Sequence, residues 1–191
     1  MSASLPSHWL VGRSDSGQAD RLASALGLPR MVARLLAARG HESEVECRTF
    51  LDCPIESFHD PSLLPDYGAA AHEILAAKEG GKLIYVHGDY DVDGVTSTAI
   101  LFRFLTAIGC KVESHVPHRI KEGYGIHLMA VEDAARMGAS LFLTCDCGVS
   151  AHEQVAAAQA KGMRVVVTDH HEPGPDLPAA QAVVNPHRLD S

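Results

Sequence analysis

The chain has 191 residues, with 16 Lys+Arg against 24 Asp+Glu, twelve His and five Cys. At 46% hydrophobic and 21% charged it can bury a core, which excludes a disordered chain, and a net charge of −8 speaks against nucleic acid or an anionic membrane on composition alone. No stretch reaches the ~20 apolar residues of a membrane span, and MSASLPSHWL has neither the basic start nor the apolar core of a signal peptide, so a cytoplasmic protein with no membrane partner is expected.

Residues 1–80 are predicted to form a small helical segment. GQADRLASALGL is an Ala/Leu-rich helix ending near Gly27, and Pro29 stands where a second helix can begin. In MVARLLAARG, Met31, Val32, Leu35 and Leu36 recur at helical spacing and Gly40 suits a C-cap. ESEVECRTFL is a third short helix, DCPIESFHDPSLLPD a connection broken by three prolines, and YGAAAHEILAAKEGG a further helix closed by a glycine pair.

From Lys82 the rhythm changes. KLIYVH, KVESHVP, SLFLTC, RVVVT and QAVV read as strands; VTSTAILFRFLTAIG, HLMAVEDAARMG and SAHEQVAAAQAKG are the helices between them. This alternation predicts an α/β fold over 81–191, a parallel β-sheet flanked by helices.

In such a sheet ligands collect beyond the carboxyl ends of the strands. There the sequence places His87, Asp89, Asp91 and Asp93 after the first strand, Asp146 after the third, and Asp169-His170-His171 after the fourth. Converging carboxylates repel one another and lose hydration, so a cation is needed to hold them together. Carboxylate and imidazole without thiolate favour Mn²⁺ or Mg²⁺, and two ions would activate water and brace a phosphoryl displacement. Blander readings exist for each piece alone: an Asx turn for DxD, a surface pair for His-His, a helix cap for Asp146. An EF-hand fails, because Ile100 stands where the bidentate Glu would be and a strand precedes the loop. Five cysteines, with CxC as the closest pair, favour neither a disulfide framework nor a four-thiolate zinc site, and Cys145 and Cys147 are expected in the core.

HGDYDVDG, CDCG and VTDHHEPG resemble, in order and spacing, the first three motifs of the DHH phosphoesterase superfamily. LPRMVARLLAARG, FHDPSLLPD, PHRIKEGYGIH and TDHHEPGPDLPAAQAVVNPHR extend the likeness to the N-terminal part of its RecJ-type members, bacterial single-strand-specific DNA exonucleases. The resemblance implies metal-dependent hydrolysis of single-stranded DNA from the 5′ end, with two Mn²⁺ or Mg²⁺ ions. Carried onto this chain, the ligands are Asp91, Asp93, Asp146 and His170, with Asp169 and His171 completing or orienting the cluster. His87 matches the H-x-x-x-D-x-D spacing of related manganese pyrophosphatases and is a further candidate ligand; Asp89 is a candidate ligand or orienter of the attacking water. Arg119 suits a substrate phosphate, and Tyr124 and Gly125 suit close approach to the strand.

The resemblance also implies that a DHH catalytic domain over 81–191 stops short of a fourth motif, and that a DHHA1-type domain and an OB-fold lie outside the chain. It further implies work beside a helicase and a single-strand binding protein in repair and recombination, and a monomer is expected. Two other readings compete: a different DHH phosphoesterase, acting on pyrophosphate, short oligonucleotides or cyclic dinucleotides, and a catalytically silent binding module.

Overall fold

The structure, a computed structural model, describes residues 15–191; the opening segment read for a signal peptide lies outside them. Helix α1 (Ser16–Leu26) starts where the Asp15 carboxylate accepts the Gly17 N–H at 2.8 Å and stops at Gly27, whose φ of 66° a side chain would resist. Helix α2 spans Arg30–Ala38. Helix α3 (Glu44–Asp52) opens on a reciprocal cap: the Glu46 N–H donates to Ser43 Oγ at 3.2 Å, and the Ser43 N–H donates to Glu46 Oε2 at 2.9 Å. The three helices bury Leu22, Ala33, Leu36 and Cys47 in a core of their own. This unit ends at His59.

The second unit runs from Asp60 to Ser191. Its five strands are β1 (Leu83–His87), β2 (Lys111–His115), β3 (Ala139–Cys145), β4 (Arg164–Thr168) and β5 (Ala182–Val184). They form one sheet in the order β2-β1-β3-β4-β5, with every neighbouring pair parallel. Alternate residues of each strand face opposite ways, so the short apolar runs supply two cores. On one face Ile84, Val86, Leu141, Leu143 and Val166 pack with Ala70 and Ala77 of α4 (Tyr67–Glu79) and Leu105 of α5 (Val92–Ala107). On the other, Tyr85, Phe142, Val165 and Val167 pack with Val131 of α6 (Leu128–Arg136) and Val155 of α7 (His152–Ala160). The two cysteines of CDC divide between these cores, Cys145 in the first and Cys147 in the second.

Two expectations change. The boundary expected near residue 80 falls between His59 and Asp60, because α4 shares its core with β1, β3 and β4. Its alanines let it lie close on the strands, and helical periodicity does not reveal which surface covers a helix. Helix α5 begins three residues earlier than expected, inside the acidic motif, because the Asp91 carboxylate caps it by accepting the Gly94 N–H at 3.0 Å. Among the described residues no helix is long and apolar enough to cross a membrane.

Candidate metal centre

From β1 the chain passes through α5 to β2 at one edge of the sheet, then returns through α6 to β3 on the opposite side of β1. The segments leaving β1 and β3 therefore diverge and open a crevice at the carboxyl ends of the strands. The first segment is packed tightly against α5. A Cβ on Gly88 would overlap Thr98 Oγ1 and the Gly94 carbonyl, and one on Gly94 would overlap the Asp89 backbone. Both glycines are needed for contact rather than for turning. That contact sets Asp91 at the helix N-cap and Asp93 in its first turn, and the Gly94 N–H holds the Asp91 carboxyl below the usual carboxylate range.

Asp146 follows β3 directly and lies in the left-handed region, with φ at 61°, a conformation uncommon for a residue with a side chain. Its N–H donates to the Thr168 carbonyl at 3.0 Å, which ties the turn to the end of β4. Its Oδ1 lies 2.8 Å from His170 Nε2, whereas Oδ2 is buried with no partner. Burial raises the Asp146 carboxyl above its ordinary pKa, and the neighbouring Asp91 raises it further. One ligand atom from each of Asp146, His170 and His171 lies within 4.8 Å of the others. A buried oxygen lacking a donor, beside a second carboxylate and two imidazoles, is the donor set a hard divalent cation takes.

Asp169 is placed differently from the other acids. Its Oδ1 accepts the His170 N–H at 2.7 Å, the His171 N–H at 3.1 Å and His171 Nδ1–H at 2.7 Å, and its Oδ2 accepts the Val149 N–H at 2.9 Å. With both oxygens engaged, Asp169 orients the histidine pair. Its bond to Nδ1 raises the His171 pKa and leaves Nε2 facing the Tyr124 hydroxyl at 3.0 Å. The two imidazoles then serve two clefts. His170 lines one of about 540 Å³ with Asp93, Ile100 and Asp146, and His171 lines one of about 390 Å³ with Tyr124, Gly125 and Gln154.

The Asp146–His170–His171 group does not itself include Asp91, which neighbours Asp146, or Asp93, which lines the cleft with His170, and it also leaves out His87 and Asp89. Both are fully buried, and both reach Gly125 instead: His87 Nε2 lies 3.3 Å from its carbonyl, and Asp89 Oδ1 accepts its N–H at 3.4 Å. Arg119 stacks its guanidinium over the Tyr90 ring, 5.2 Å from the centroid, and Tyr90 meets Tyr124 edge-on at 6.3 Å. Tyr90 was not singled out in the sequence, and nothing local distinguishes it. Asn185 also went unassigned. Fully buried, it donates to the His171 carbonyl at 2.9 Å and accepts the His187 N–H at 2.7 Å, supporting the triplet from behind. It follows β5 directly, so the strand-end rule that found the acids would have found it.

Residues 83–191 match the model of the DHH family, N-terminal domain. The chain is 36% identical over 178 residues to the single-stranded-DNA-specific exonuclease RecJ of Bacillus subtilis (strain 168), covering 93% of this chain and 23% of that protein. It is 45% identical over 127 residues to the RecJ of Thermus thermophilus, covering 65% and 19%. A crystal structure of RecJ in complex with Mn²⁺ from Thermus thermophilus superposes with a TM-score of 0.66 at 32% identity, over 92% of this chain and 24% of that one. A crystal structure of exonuclease RecJ bound to manganese gives 0.60 at 43% identity, over 66% and 33%. The chain thus spans about a quarter of the length of the relatives it matches. A parallel sheet carrying the Asp-His-His triplet beyond one strand end, with Asp91 and Asp146 at the neighbouring ends, is matched by that family model over the same residues, and the chain belongs to the DHH family.

Proposed function

We infer that this chain carries the metal centre of a RecJ-like 5′-to-3′ exonuclease specific for single-stranded DNA. The observation that carries the reading is the meeting of Asp146, His170 and His171 within 4.8 Å beside Asp91, combined with likeness to proteins bearing that name. Asp91, Asp93, Asp146, His170 and His171 are the residues that would hold two Mn²⁺ or Mg²⁺ ions, and the unpartnered Asp146 Oδ2 suits that role. Such ions, when bound, lower the pKa of water and neutralise charge on a phosphodiester. The remaining work falls to the chain itself. Asp169 and Asn185 fix the histidine pair, while Arg119, stacked on Tyr90, presents a cation to the strand's phosphate. Part of the acid, Asp91, Asp93 and Asp146, thus belongs to the site, so the net charge of −8 is by itself no argument against a nucleic-acid substrate. A cytoplasmic monomer working beside a helicase and a single-strand binding protein belongs to the same proposal.

The test uses 5′-labelled single-stranded DNA with Mn²⁺, in parallel with pyrophosphate. Mononucleotide release from DNA alone is expected. An Asp91→Ala/Asp93→Ala variant should lose more than about a hundredfold of the rate, beyond what losing an outer partner of a metal ligand typically causes. Equal release by both proteins would remove those residues from the site, and turnover of pyrophosphate without DNA cleavage would favour a different DHH phosphoesterase.

A further inference from the structure

The segment between β2 and α6 carries Arg119 and Tyr124, yet it has no regular secondary structure to hold it. Two attachments do so. At its start, His115 Nε2 lies 2.9 Å from Glu122 Oε2, and Glu122 Oε1 accepts the His118 N–H at 2.9 Å. At its far end both backbone polar groups of Gly125 are taken by side chains from the end of β1 and the residues just beyond it: the carbonyl by His87, the N–H by Asp89. Gly125 has φ at 82°, which turns Tyr124 toward the histidine pair, and the Tyr124 hydroxyl lies 3.0 Å from His171 Nε2.

His87 is built for this attachment. Its ring is fully buried, stacked between His115 at 5.4 Å and Phe142 at 5.8 Å. A carbonyl can only accept, so Nε2 must carry the proton and Nδ1 is left as a bare lone pair, buried and unpartnered. Burial also pulls its pKa down to about 4, so the ring stays neutral across the physiological range. The stack on His115 joins the two attachments into one column beneath the loop.

We propose that His87 is a positioning residue, which binds no metal but, together with Asp89 Oδ1, clamps Gly125 and so sets Tyr124 against the His170–His171 pair; Asp89 Oδ2, buried and unpartnered like Asp146 Oδ2, stays free to face a cation. The assignment of the loop to substrate rests on the exonuclease reading above; the clamp itself does not.

Trypsin reads the clamp directly, because Arg119 and Lys121 lie in the loop. Cleavage after these two residues is followed by mass spectrometry in the 191-residue chain, relative to cleavage after Arg164 in β4. His87→Leu removes the donor and should raise loop cleavage by about tenfold, since proteolysis tracks the opened population. His87→Gln places an N–H donor where Nε2 stood and should stay within about twofold of the parent. Calorimetry with Mn²⁺ should give affinities within about threefold for all three proteins. Unchanged loop cleavage in His87→Leu overturns the clamp. A tenfold or greater loss of Mn²⁺ affinity in His87→Gln makes His87 a ligand and overturns it as well. Should His87→Leu open the whole fold, His87→Asn takes its place, its amide too short to reach Gly125, with the same selective rise expected and its absence decisive. If the parent chain binds no Mn²⁺, the metal-centre reading fails while the trypsin result still decides the clamp.

Discussion

Asp169→Ala is expected to lower the unfolding free energy of the second unit by about 3 kcal/mol, because the buried Val149 N–H and the part-buried His170 and His171 N–H groups lose their acceptor. The carboxylate side chain is 2% exposed and accepts from four N–H groups, three of them backbone. Alanine leaves those donors facing a small void, and each unsatisfied buried donor is destabilising by about 1–3 kcal/mol. Asp169→Asn should lose less, about 2 kcal/mol, because one oxygen is kept while an NH₂ meets the Val149 N–H or the histidine donors. Urea unfolding checks both values, through a lowered midpoint at unchanged slope. The same variants should bind Mn²⁺ about 10- to 100-fold more weakly, since His171 loses the acceptor that orients its ring. Part of the stability difference depends on pH. The pKa of His171 is raised in the fold by its bond to Asp169, so this contribution is fully present below the unfolded imidazole pKa and is lost as pH rises through the folded value. His171 is 42% exposed in its side chain, so solvent screens that part, and the backbone N–H losses persist at every pH.

What the sequence revealed and what it hid follow from the range of the interactions involved. The strand order of polar clusters was legible because strand runs such as KLIYVH and RVVVT are short, apolar and bounded by breakers, and a parallel sheet puts their carboxyl ends together. Hence the sequence alone assigns Asp91, Asp146 and the Asp-His-His triplet to one edge. Whether Asp169 completes the cluster or orients it was not legible, because that depends on a turn that aims three donors back at one oxygen. The spacing of His87 to Asp91 suggested a ligand, yet the ring's environment comes from Phe142 on β3, His115 on β2 and Gly125 on a loop, none near it in sequence. The surface covering α4 was hidden for the same reason: its small residues fit any flat neighbour, and only the sheet decides which.

Gly94→Ala brings the short and long ranges into conflict. On propensity alone, alanine should stabilise a helix position by up to about 1 kcal/mol. Gly94 lies in the first turn of α5, but it is buried, and an added Cβ would overlap the backbone nitrogen, carbonyl carbon and oxygen of Asp89. Backbone cannot rotate away as a side chain would, so α5 or the 88–91 segment must shift, and overpacking of this kind is destabilising by about 1–3 kcal/mol or more. A net loss of about 2 kcal/mol is therefore expected in thermal or urea unfolding. The effect on function should be larger than the effect on stability, because the shift moves Asp91 and Asp93 away from Asp146. A misplacement of about 1 Å can lower a rate by roughly a hundredfold. Gly68→Ala, in the first turn of α4 with no atom within 4 Å of the new Cβ, is the matched control, and should be neutral or stabilising by about 0.5 kcal/mol with Mn²⁺ affinity unchanged. Equal behaviour of the two variants would mean that the close approach at Gly94 does not hold the acidic motif in place. Loss of Mn²⁺ affinity in Gly94→Ala alone would show that the position of the motif, beyond its charge, makes the centre.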